Sequence, residues 1–262
     1  MSSRYTYPIH LLILPGLRIL LGIHSSISHD ARLLLTNAHP KPRVIGAENI
    51  PAAAPFIFVI NHPDHAGVGA WWGVSVAACA IAERRVGEPR EVRFVMTKEW
   101  WYPSGWQKRI KQPLTHWFFG QVSKAYGILL LPPVIDEYKG TGAIDVRRIL
   151  ALTRGDHPQL IGISPEGRTG ENMTLCQPPS GAGLFLDLLS HDKIPFLPVG
   201  FFTDDATTMV VNFGKPFKLN VPRNLPRPIR DCDAARQVMV EIGKLLPEKM
   251  WGVYREDIQG YL

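Results

Sequence analysis

The chain has 262 residues, which is enough for one large domain or two small ones with a core that needs no covalent staples. Its three cysteines, Cys79, Cys176 and Cys232, lie far apart, which excludes a disulfide framework and a cysteine metal motif and suits a reducing compartment. The net charge of +6 favours an anionic partner such as nucleic acid, anionic lipid or a phosphorylated substrate.

The N-terminal segment is apolar but broken. Over residues 7–21, His10, Pro15 and Arg18 interrupt the apolar run, so the segment is too short and too polar for a convincing membrane span. No clean cleavage site follows it, and no secretory signal is predicted. The pattern predicts membrane-interfacial helices in residues 1–40, with Arg18 among the arginines at the headgroups. The alternative is that these helices pack on the protein's own core.

Prolines at the break Pro40-Lys41-Pro42-Arg43 separate those helices from an α/β domain predicted over residues 41–262. In that domain, apolar segments typical of strands alternate with segments of helical spacing. Strands are predicted at 44–46, 56–60, 92–96, 126–133, 159–163, 194–200 and 209–213. Helices are predicted at 66–82, 144–154, 181–190 and 234–246. The alternation predicts an α/β fold with a mostly parallel central sheet flanked by helices and an N-terminal helical appendage.

A first polar cluster, Asn61-His62-Pro63-Asp64-His65, directly follows the apolar strand at 56–60. A buried strand holds the side chains at its carboxyl end in fixed places, and histidine is suited to moving protons near neutral pH. We therefore predict that His62 is a general base. The alternative is a capping turn in which Asn61 caps a helix that has Pro63 at its first position.

A second polar cluster, Ser164-Pro165-Glu166-Gly167-Arg168-Thr169, follows the strand at 159–163. Arginine binds phosphate through two hydrogen bonds, and a glycine turn exposes backbone N–H groups to an anion. Glu166 is placed to orient Arg168; the alternative is a solvent turn with a local ion pair of little energetic value. Two such clusters at strand ends predict a shared crevice.

A third feature mixes aromatic and basic residues between positions 98 and 119. This mixture suits a membrane interface, and it also suits single-stranded nucleic acid or a core of aromatic rings with a solvated basic face. No nucleic-acid fold signature accompanies it, so nucleic acid is not predicted as a partner. The residues are Lys98, Trp100, Trp101, Tyr102, Trp106, Lys108, Arg109, Lys111, Trp117, Phe118 and Phe119.

The two clusters together resemble a known family. Asn61-His62 after one apolar strand and Pro165-Glu166-Gly167 after another are similar to the glycerophospholipid acyltransferases, the PlsC-like, 1-acylglycerol-3-phosphate acyltransferase-like family. The resemblance runs from about Val44 to Lys218. Supporting segments stand in the family's order at 44–51, 98–99, 126–127, 180–182 and 194–199.

This resemblance implies acyl transfer from a thioester, acyl-CoA or acyl-carrier protein, to a hydroxyl, often on a lysophospholipid. It implies no cofactor beyond that co-substrate. His62 would take the acceptor's proton, and the substrate-binding residues would be Glu166, Gly167, Arg168, Thr169 and Lys98. The helices in residues 1–40 and the aromatic–basic segment would hold the site at a membrane surface. The expected location is therefore cytoplasmic, peripheral on the inner face of the cell membrane.

The chain departs from the family pattern at three points. The family's Asp, five positions after the catalytic histidine, is here Gly67, and the nearest carboxylate is Asp64. Residues two apart do not share a helix face, so Asp64 serves as the catalytic partner only if the backbone there is not regular helix. The family's Glu-Gly-Thr-Arg order becomes Glu-Gly-Arg-Thr, and Pro132 stands where the family often has an arginine. These departures favour a different acceptor or a loss of catalysis.

Two rival functions remain open on the same scaffold. One is a catalytically silent relative that binds lipids or acyl chains, and the other is a hydrolase that uses His62, Asp64 and His65 differently. These three residues lack a further ligand, so no metal is predicted. If His62 is the base, we expect a carboxylate oxygen within hydrogen-bond reach of its ring.

Overall fold

The computed structural model describes residue 5 and residues 9–63, 69–191, 193–205 and 207–260. Within these residues, seven strands form one sheet. They are β1 (Arg43–Ile45), β2 (Ile57–Ile60), β3 (Val92–Thr97), β4 (Leu129–Leu131), β5 (Leu160–Ile163), β6 (Phe196–Thr203) and β7 (Met209–Phe213). The spatial order is β1-β7-β6-β2-β5-β3-β4, and neighbours are parallel except for the antiparallel pair β6 and β7.

Eight α-helices accompany this sheet in the described part of the chain. They are α1 (Ile9–Leu21), α2 (Ile27–Leu35), α3 (Ala70–Arg84), α4 (Gln112–Tyr126), α5 (Ala143–Leu152), α6 (Ala182–Ser190), α7 (Arg227–Gly243) and α8 (Arg255–Gln259). A π-helical segment, Gln107–Lys111, leads into α4. The predicted α/β class with a mostly parallel sheet and N-terminal helices is confirmed.

The central strand β2 is buried along its whole length because both faces of the sheet are covered. Phe58 and Ile60 belong to the core on the α3 side, and Ile57 and Val59 belong to the core beneath α5, α6 and α7. Successive side chains of a strand point to opposite faces, so a strand between two helical layers needs apolar residues at every position. The uninterrupted run in the sequence follows from this three-layer arrangement.

The strand predicted at 126–133 is wrong in its first part. Tyr126 is the last residue of α4, and Gly127 follows it in the left-handed conformation with φ of 65°. This conformation ends a helix and favours glycine. The strand β4 is consequently confined to three residues.

Two helices also differ from their predicted bounds. The helix predicted at 66–82 is α3, which begins at Ala70 and continues to Arg84. The helix predicted at 234–246 is α7, which begins at Arg227, with Pro228 in its first turn, and ends at Gly243. Proline is tolerated in the first turn because the N–H groups there have no intrahelical partner.

The N-terminal helices pack on the α/β domain. The Cys79 thiol of α3 approaches the carbonyl of Ser28 in α2 at 3.4 Å, and the Gln121 amide of α4 donates to the carbonyl of Leu20 in α1 at 2.9 Å. None of the described helices combines the length and apolar composition needed to cross a bilayer. The domain boundary at residue 40 stays a prediction.

A buried carboxylate fixes α1 in this position. Asp30 is 4 % exposed and accepts hydrogen bonds from Arg18 at 2.9 Å, Ser25 at 2.7 Å and Tyr126 at 2.8 Å. Arg18 therefore points toward the protein and not toward the lipid headgroups predicted for it. The exposed surface of α1 is nevertheless apolar, with Ile9, Ile13, Leu14, Leu17, Leu20 and Leu21 about half exposed or more.

Candidate functional site

The two polar clusters lie at the same edge of the sheet because β2 and β5 are parallel neighbours. Ile57 pairs with Ile161 and Val59 pairs with Ile163, so both strands end at the same level. The loop that begins with Asn61 and the turn over residues 164–169 therefore leave the sheet side by side. This is where open α/β sheets bind ligands.

Asn61 clamps the end of β2 to the neighbouring strand β6. Its side chain is 4 % exposed, its Oδ1 accepts the N–H of Phe201 at 2.7 Å, and its Nδ2 donates to the carbonyl of Phe201 at 2.9 Å. Both polar atoms of the Asn61 side chain are engaged with β6, and neither His62 nor Pro63 is helical, so the helix-capping alternative for Asn61 is wrong. The clamp instead fixes where the following residue, His62, leaves the sheet.

Glu166 joins the two loops through backbone groups. It is 3 % exposed; its Oε2 accepts the N–H of His62 at 2.9 Å and its Oε1 accepts the N–H of Cys176 at 2.8 Å. Burial raises the pKa of this carboxyl, and the two backbone hydrogen bonds oppose that shift by favouring the ionised form. Both carboxylate oxygens already accept a hydrogen bond from the backbone. The substrate contact predicted for Glu166 stays a prediction.

The imidazole of His62 contacts the second polar cluster at the hydroxyl group of Thr169. Its Nδ1 lies 3.3 Å from Oγ1 of Thr169. When Nδ1–H donates to that oxygen, the lone pair of Nε2 is available for a proton. Asp64, predicted as the carboxylate partner, lies outside the described residues, as do His65 and Gly67.

Gly167 and Arg168 form the tip of the turn. Gly167 has φ of 62°, and its N–H donates to the carbonyl of Ser164 at 3.2 Å, which closes the turn. The Arg168 residue is exposed, and no salt bridge of its guanidinium occurs in the described part of the chain. The turn thus presents one cation beside the histidine loop.

A large open cavity of about 1120 Å³ lies beside this turn. Glu166, Gly167 and Arg168 line it, and Pro63, next to His62, lines a second cavity of about 310 Å³. The wall of the larger cavity is mainly apolar and aromatic. Its apolar members include Val95, Leu131, Val146, Ile163 and Phe185, and its aromatic members are Trp100, Trp101, Tyr102 and Phe185.

Lys98, the remaining predicted binding residue, lies next to the cavity. Its ammonium group is 5.3 Å from the centre of the Tyr138 ring, and its neighbours Thr97 and Glu99 line the cavity wall. Substrate binding by Lys98 stays a prediction.

Sequence reasoning missed a buried carboxylate in that wall. Glu99 is 7 % exposed and accepts hydrogen bonds from the Tyr138 hydroxyl, from Nε2 of Gln112 at 3.3 Å and from Nδ1 of His116 at 3.1 Å. Glu99 raises the pKa of Tyr138 to about 12 because the hydroxyl donates its proton to the carboxylate. These partners are 13 to 39 residues away in the chain, so no local spacing indicated the cluster.

Among the described residues, no group of three His, Cys, Asp or Glu side chains is placed to hold a metal ion.

Comparison with known proteins finds a distant structural likeness. No protein-family model matches the chain, and no curated protein matches it. The chain is similar to the crystal structure of the 1-acyl-sn-glycerophosphate (LPA) acyltransferase, PlsC, from Thermotoga maritima. The two are 12 % identical with a TM-score of 0.45, over 97 % of this chain and 90 % of that one. At this TM-score the likeness supports neither a shared activity nor a shared substrate.

Proposed function

We propose that the chain is an acyltransferase that moves an acyl group from a thioester to a hydroxyl acceptor, with His62 as the general base. The observation that carries the proposal is the junction of the two loops. The backbone N–H of His62 donates to Glu166 and its ring meets Thr169, beside a cavity with an apolar wall. A proton-accepting side chain, a cationic turn and an apolar slot are the parts that transfer of a fatty acyl group needs.

In the proposed reaction, Nε2 of His62 takes the proton of the acceptor hydroxyl as its oxygen attacks the thioester carbonyl. The new C–O bond gives a tetrahedral intermediate. Its collapse breaks the C–S bond, and the imidazolium returns the proton to the leaving thiolate. The products are an ester and a free thiol, so no oxidant or further co-reactant is needed.

The other residues act on His62 or on the substrate. Asn61 and Glu166 hold the backbone of His62. We assign to Thr169 the role of accepting the Nδ1–H of His62, which leaves Nε2 free. We assign stabilisation of the imidazolium to Asp64, and contact with an anionic group of the acceptor to Arg168.

The apolar side of the cavity is the proposed acyl-chain site. Val95, Leu131 and Ile163 come from three adjacent strands, and Val146 and Phe185 come from α5 and α6. A volume of about 1120 Å³ is at the upper end of small-molecule sites, which suits a long chain together with a headgroup.

A membrane surface is the proposed location, on the cytoplasmic face. The apolar face of α1 lies next to α4, and the α4 region exposes Trp106, Ile110, Leu114, Trp117 and Phe118. The segment from Lys98 to Arg154 carries nine Lys and Arg residues against four Asp and Glu residues, which is most of the net charge of the chain. Exposed rings among cations suit anionic headgroups.

The experiment is a thiol-release assay with acyl-CoA and a panel of lysolipids. The proposal predicts free thiol and a new ester only when an acceptor hydroxyl is present. Thiol release without an acceptor would identify a hydrolase instead. Binding of the acyl chain with no release under any condition would identify a silent lipid-binding relative.

A further inference from the structure

We infer that contact with an anionic membrane widens the opening of the large cavity, and that Trp101, Lys108 and Glu137 form the switch. This inference rests on the proposed function and concerns the regulation of the same site. We call the three residues the Glu137 clasp. Nε1 of Trp101 donates to Oε2 of Glu137 at 2.7 Å, and Nζ of Lys108 donates to Oε1 of Glu137 at 2.9 Å.

The clasp connects two segments of the cavity wall. Residues 99–102 and 131–134 both line the cavity, and the second segment lies shortly before the 3-10 helix Asp136–Tyr138, which contains the clasp carboxylate. Trp101 and Val134 are 37 % and 71 % exposed and both line the cavity. A residue that lines a cavity and also reaches solvent lies at its opening. The clasp therefore fixes the ring of Trp101 at the edge of the opening.

The third member of the clasp belongs to the surface that we propose contacts the membrane. Lys108 lies in the π-helical segment Gln107–Lys111, and in the sequence it stands between the exposed residues Trp106 and Ile110. Segments of π-helix are rare and occur frequently at functional sites. One carboxylate thus accepts a hydrogen bond from the cavity wall and another from the membrane-binding surface.

The clasp is the weaker of two connections in this part of the wall. The side chains of Lys108 and Glu137 are 38 % and 48 % exposed, and an ion pair with that exposure contributes little to stability. The other connection is buried: Glu99, which is 7 % exposed, accepts hydrogen bonds from Gln112 and Tyr138. The contacts of Glu99 therefore hold the wall in place when the clasp opens.

An anionic bilayer favours separation of all three clasp groups. The ammonium group of Lys108 is attracted to the lipid phosphates, and tryptophan rings are enriched at the level of the headgroups. The negative surface repels the carboxylate of Glu137. A membrane therefore interacts better with the open clasp than with the closed one, which is the condition for a ligand to drive a conformational change. The released ring of Trp101 leaves a wider entrance for an acyl chain.

The first test measures access to the cavity without lipid and without catalysis. Val146 of α5 lines the cavity, and in Val146→Cys the rate of modification by a water-soluble maleimide is followed by peptide mass spectrometry. Addition of Glu137→Ala is expected to raise this rate several-fold, because Trp101 loses the acceptor that holds its ring. The exposed native Cys232 reports the reactivity of the reagent in each sample.

The matched control is Asp136→Ala, which removes the adjacent carboxylate from the same turn. Asp136 pairs with Lys139 at 2.8 Å, so this variant leaves the clasp intact, and the labelling rate is expected to stay unchanged. Thermal unfolding verifies that both variants fold. An unchanged rate in Glu137→Ala, or an equal increase in Asp136→Ala, overturns the inference.

The second test measures activation by a membrane. The donor is octanoyl-CoA, which is soluble in water, and the acceptor is a short-chain lysolipid. Wild type is expected to turn over several-fold faster with phosphatidylglycerol vesicles than with phosphatidylcholine vesicles or without lipid. Glu137→Ala is expected to be several-fold more active than wild type without lipid and to gain little from vesicles, and Asp136→Ala to behave as wild type.

The outcomes separate the inference from the proposed function. Equal turnover of wild type with and without phosphatidylglycerol vesicles, or full activation retained in Glu137→Ala, overturns the inference and leaves the acyltransferase proposal standing. No turnover with any acceptor contradicts the proposed function, and the labelling rates then decide by themselves whether the clasp controls access to the cavity.

Discussion

At the residue scale, the contact between Nδ1 of His62 and Oγ1 of Thr169 connects the imidazole to the second loop. Thr169→Val removes the hydroxyl at nearly constant volume and with it the 3.3 Å partner of Nδ1. We expect kcat to fall about 10-fold, the equivalent of one hydrogen bond, with little change in KM. Steady-state kinetics of acyl transfer measure both constants.

Two further variants show whether Thr169 acts through His62. Thr169→Ser keeps the hydroxyl and is expected to restore kcat. Thr174→Val removes a hydroxyl that donates to the carbonyl of Glu171 at 2.8 Å and serves as the matched control. A fall in kcat for Thr174→Val as large as that for Thr169→Val would contradict the positioning role.

Glu166 makes folding stability depend on pH. Burial raises its pKa, so the native state binds a proton more readily than the unfolded state does. Its contribution to the free energy of unfolding is therefore largest below the ordinary carboxyl pKa and declines as pH rises through the raised pKa. A glutamine at this position has no such decline.

Glu166→Gln tests this assignment. Glutamine has one acceptor oxygen, so the backbone N–H of either His62 or Cys176 loses its partner. We therefore expect the free energy of unfolding of the variant at pH 5 to be lower than that of wild type by about 1–3 kcal/mol. The deficit is expected to narrow toward pH 8, because only the wild-type group then carries a buried charge. Urea unfolding at both pH values measures it, and a deficit that widens with pH would contradict the burial effect.

Much of the site at this scale was predictable from the sequence, because an apolar run that stops at polar residues marks a strand end. This predicted both His62 and the turn at residues 164–169. The partners of each side chain were not predictable. Glu166 binds the N–H of a residue 104 positions away, and Asn61 binds one 140 positions away, so only the order of strands in the sheet brings them together.

At the scale of elements, close packing of α6 on α7 supports the cavity wall. A Cβ on Gly183 would lie 1.9 Å from the carbonyl oxygen of Asp231 and 2.8 Å from the N atom of Ala235. Backbone atoms do not move aside as a flexible side chain does, so we expect Gly183→Ala to destabilise the protein by about 2–3 kcal/mol.

The matched control is Gly120→Ala in α4. Nothing lies within 4 Å of a Cβ at Gly120, so the substitution should stabilise the protein by about 0.5–1 kcal/mol through helix propensity. Chemical denaturation of both variants measures the difference. A neutral Gly183→Ala would show that the two helices are less closely packed than the structure indicates.

Strands and helices with a clear hydrophobic pattern were predictable from the sequence, but the residues at which they begin and end were not. The strands over residues 56–60, 159–163 and 209–213 were found because each is a short apolar run between polar residues. The helix α4 was missed, because Trp117, Phe118 and Phe119 place apolar side chains on several sides and hide the 3.6-residue period. Pro113 in its first turn was the available signal.

At the scale of the whole molecule, charge and exposed apolar area are concentrated on one region. We expect the protein to sediment with vesicles that contain anionic lipid and to be released by salt, because each cation near the surface contributes about 1 kcal/mol and is screened. Ile110→Ser is expected to weaken binding several-fold. The control is Val253→Ser, which removes an apolar residue that is similarly exposed. An equal loss of vesicle binding in both variants would contradict a membrane-binding surface in the α4 region.

The proposed reaction depends on His62 removing the acceptor's proton, and the rate of ester formation by His62→Gln measures this step. The exposed His157 belongs to neither loop of the site, so His157→Gln is the control. We expect His62→Gln to lower kcat by at least about 100-fold, the usual contribution of a general base, while His157→Gln keeps wild-type activity and both variants bind the acyl donor. If His62→Gln keeps a kcat within about 10-fold of wild type, His62 is not the general base, because a general base contributes at least about 100-fold.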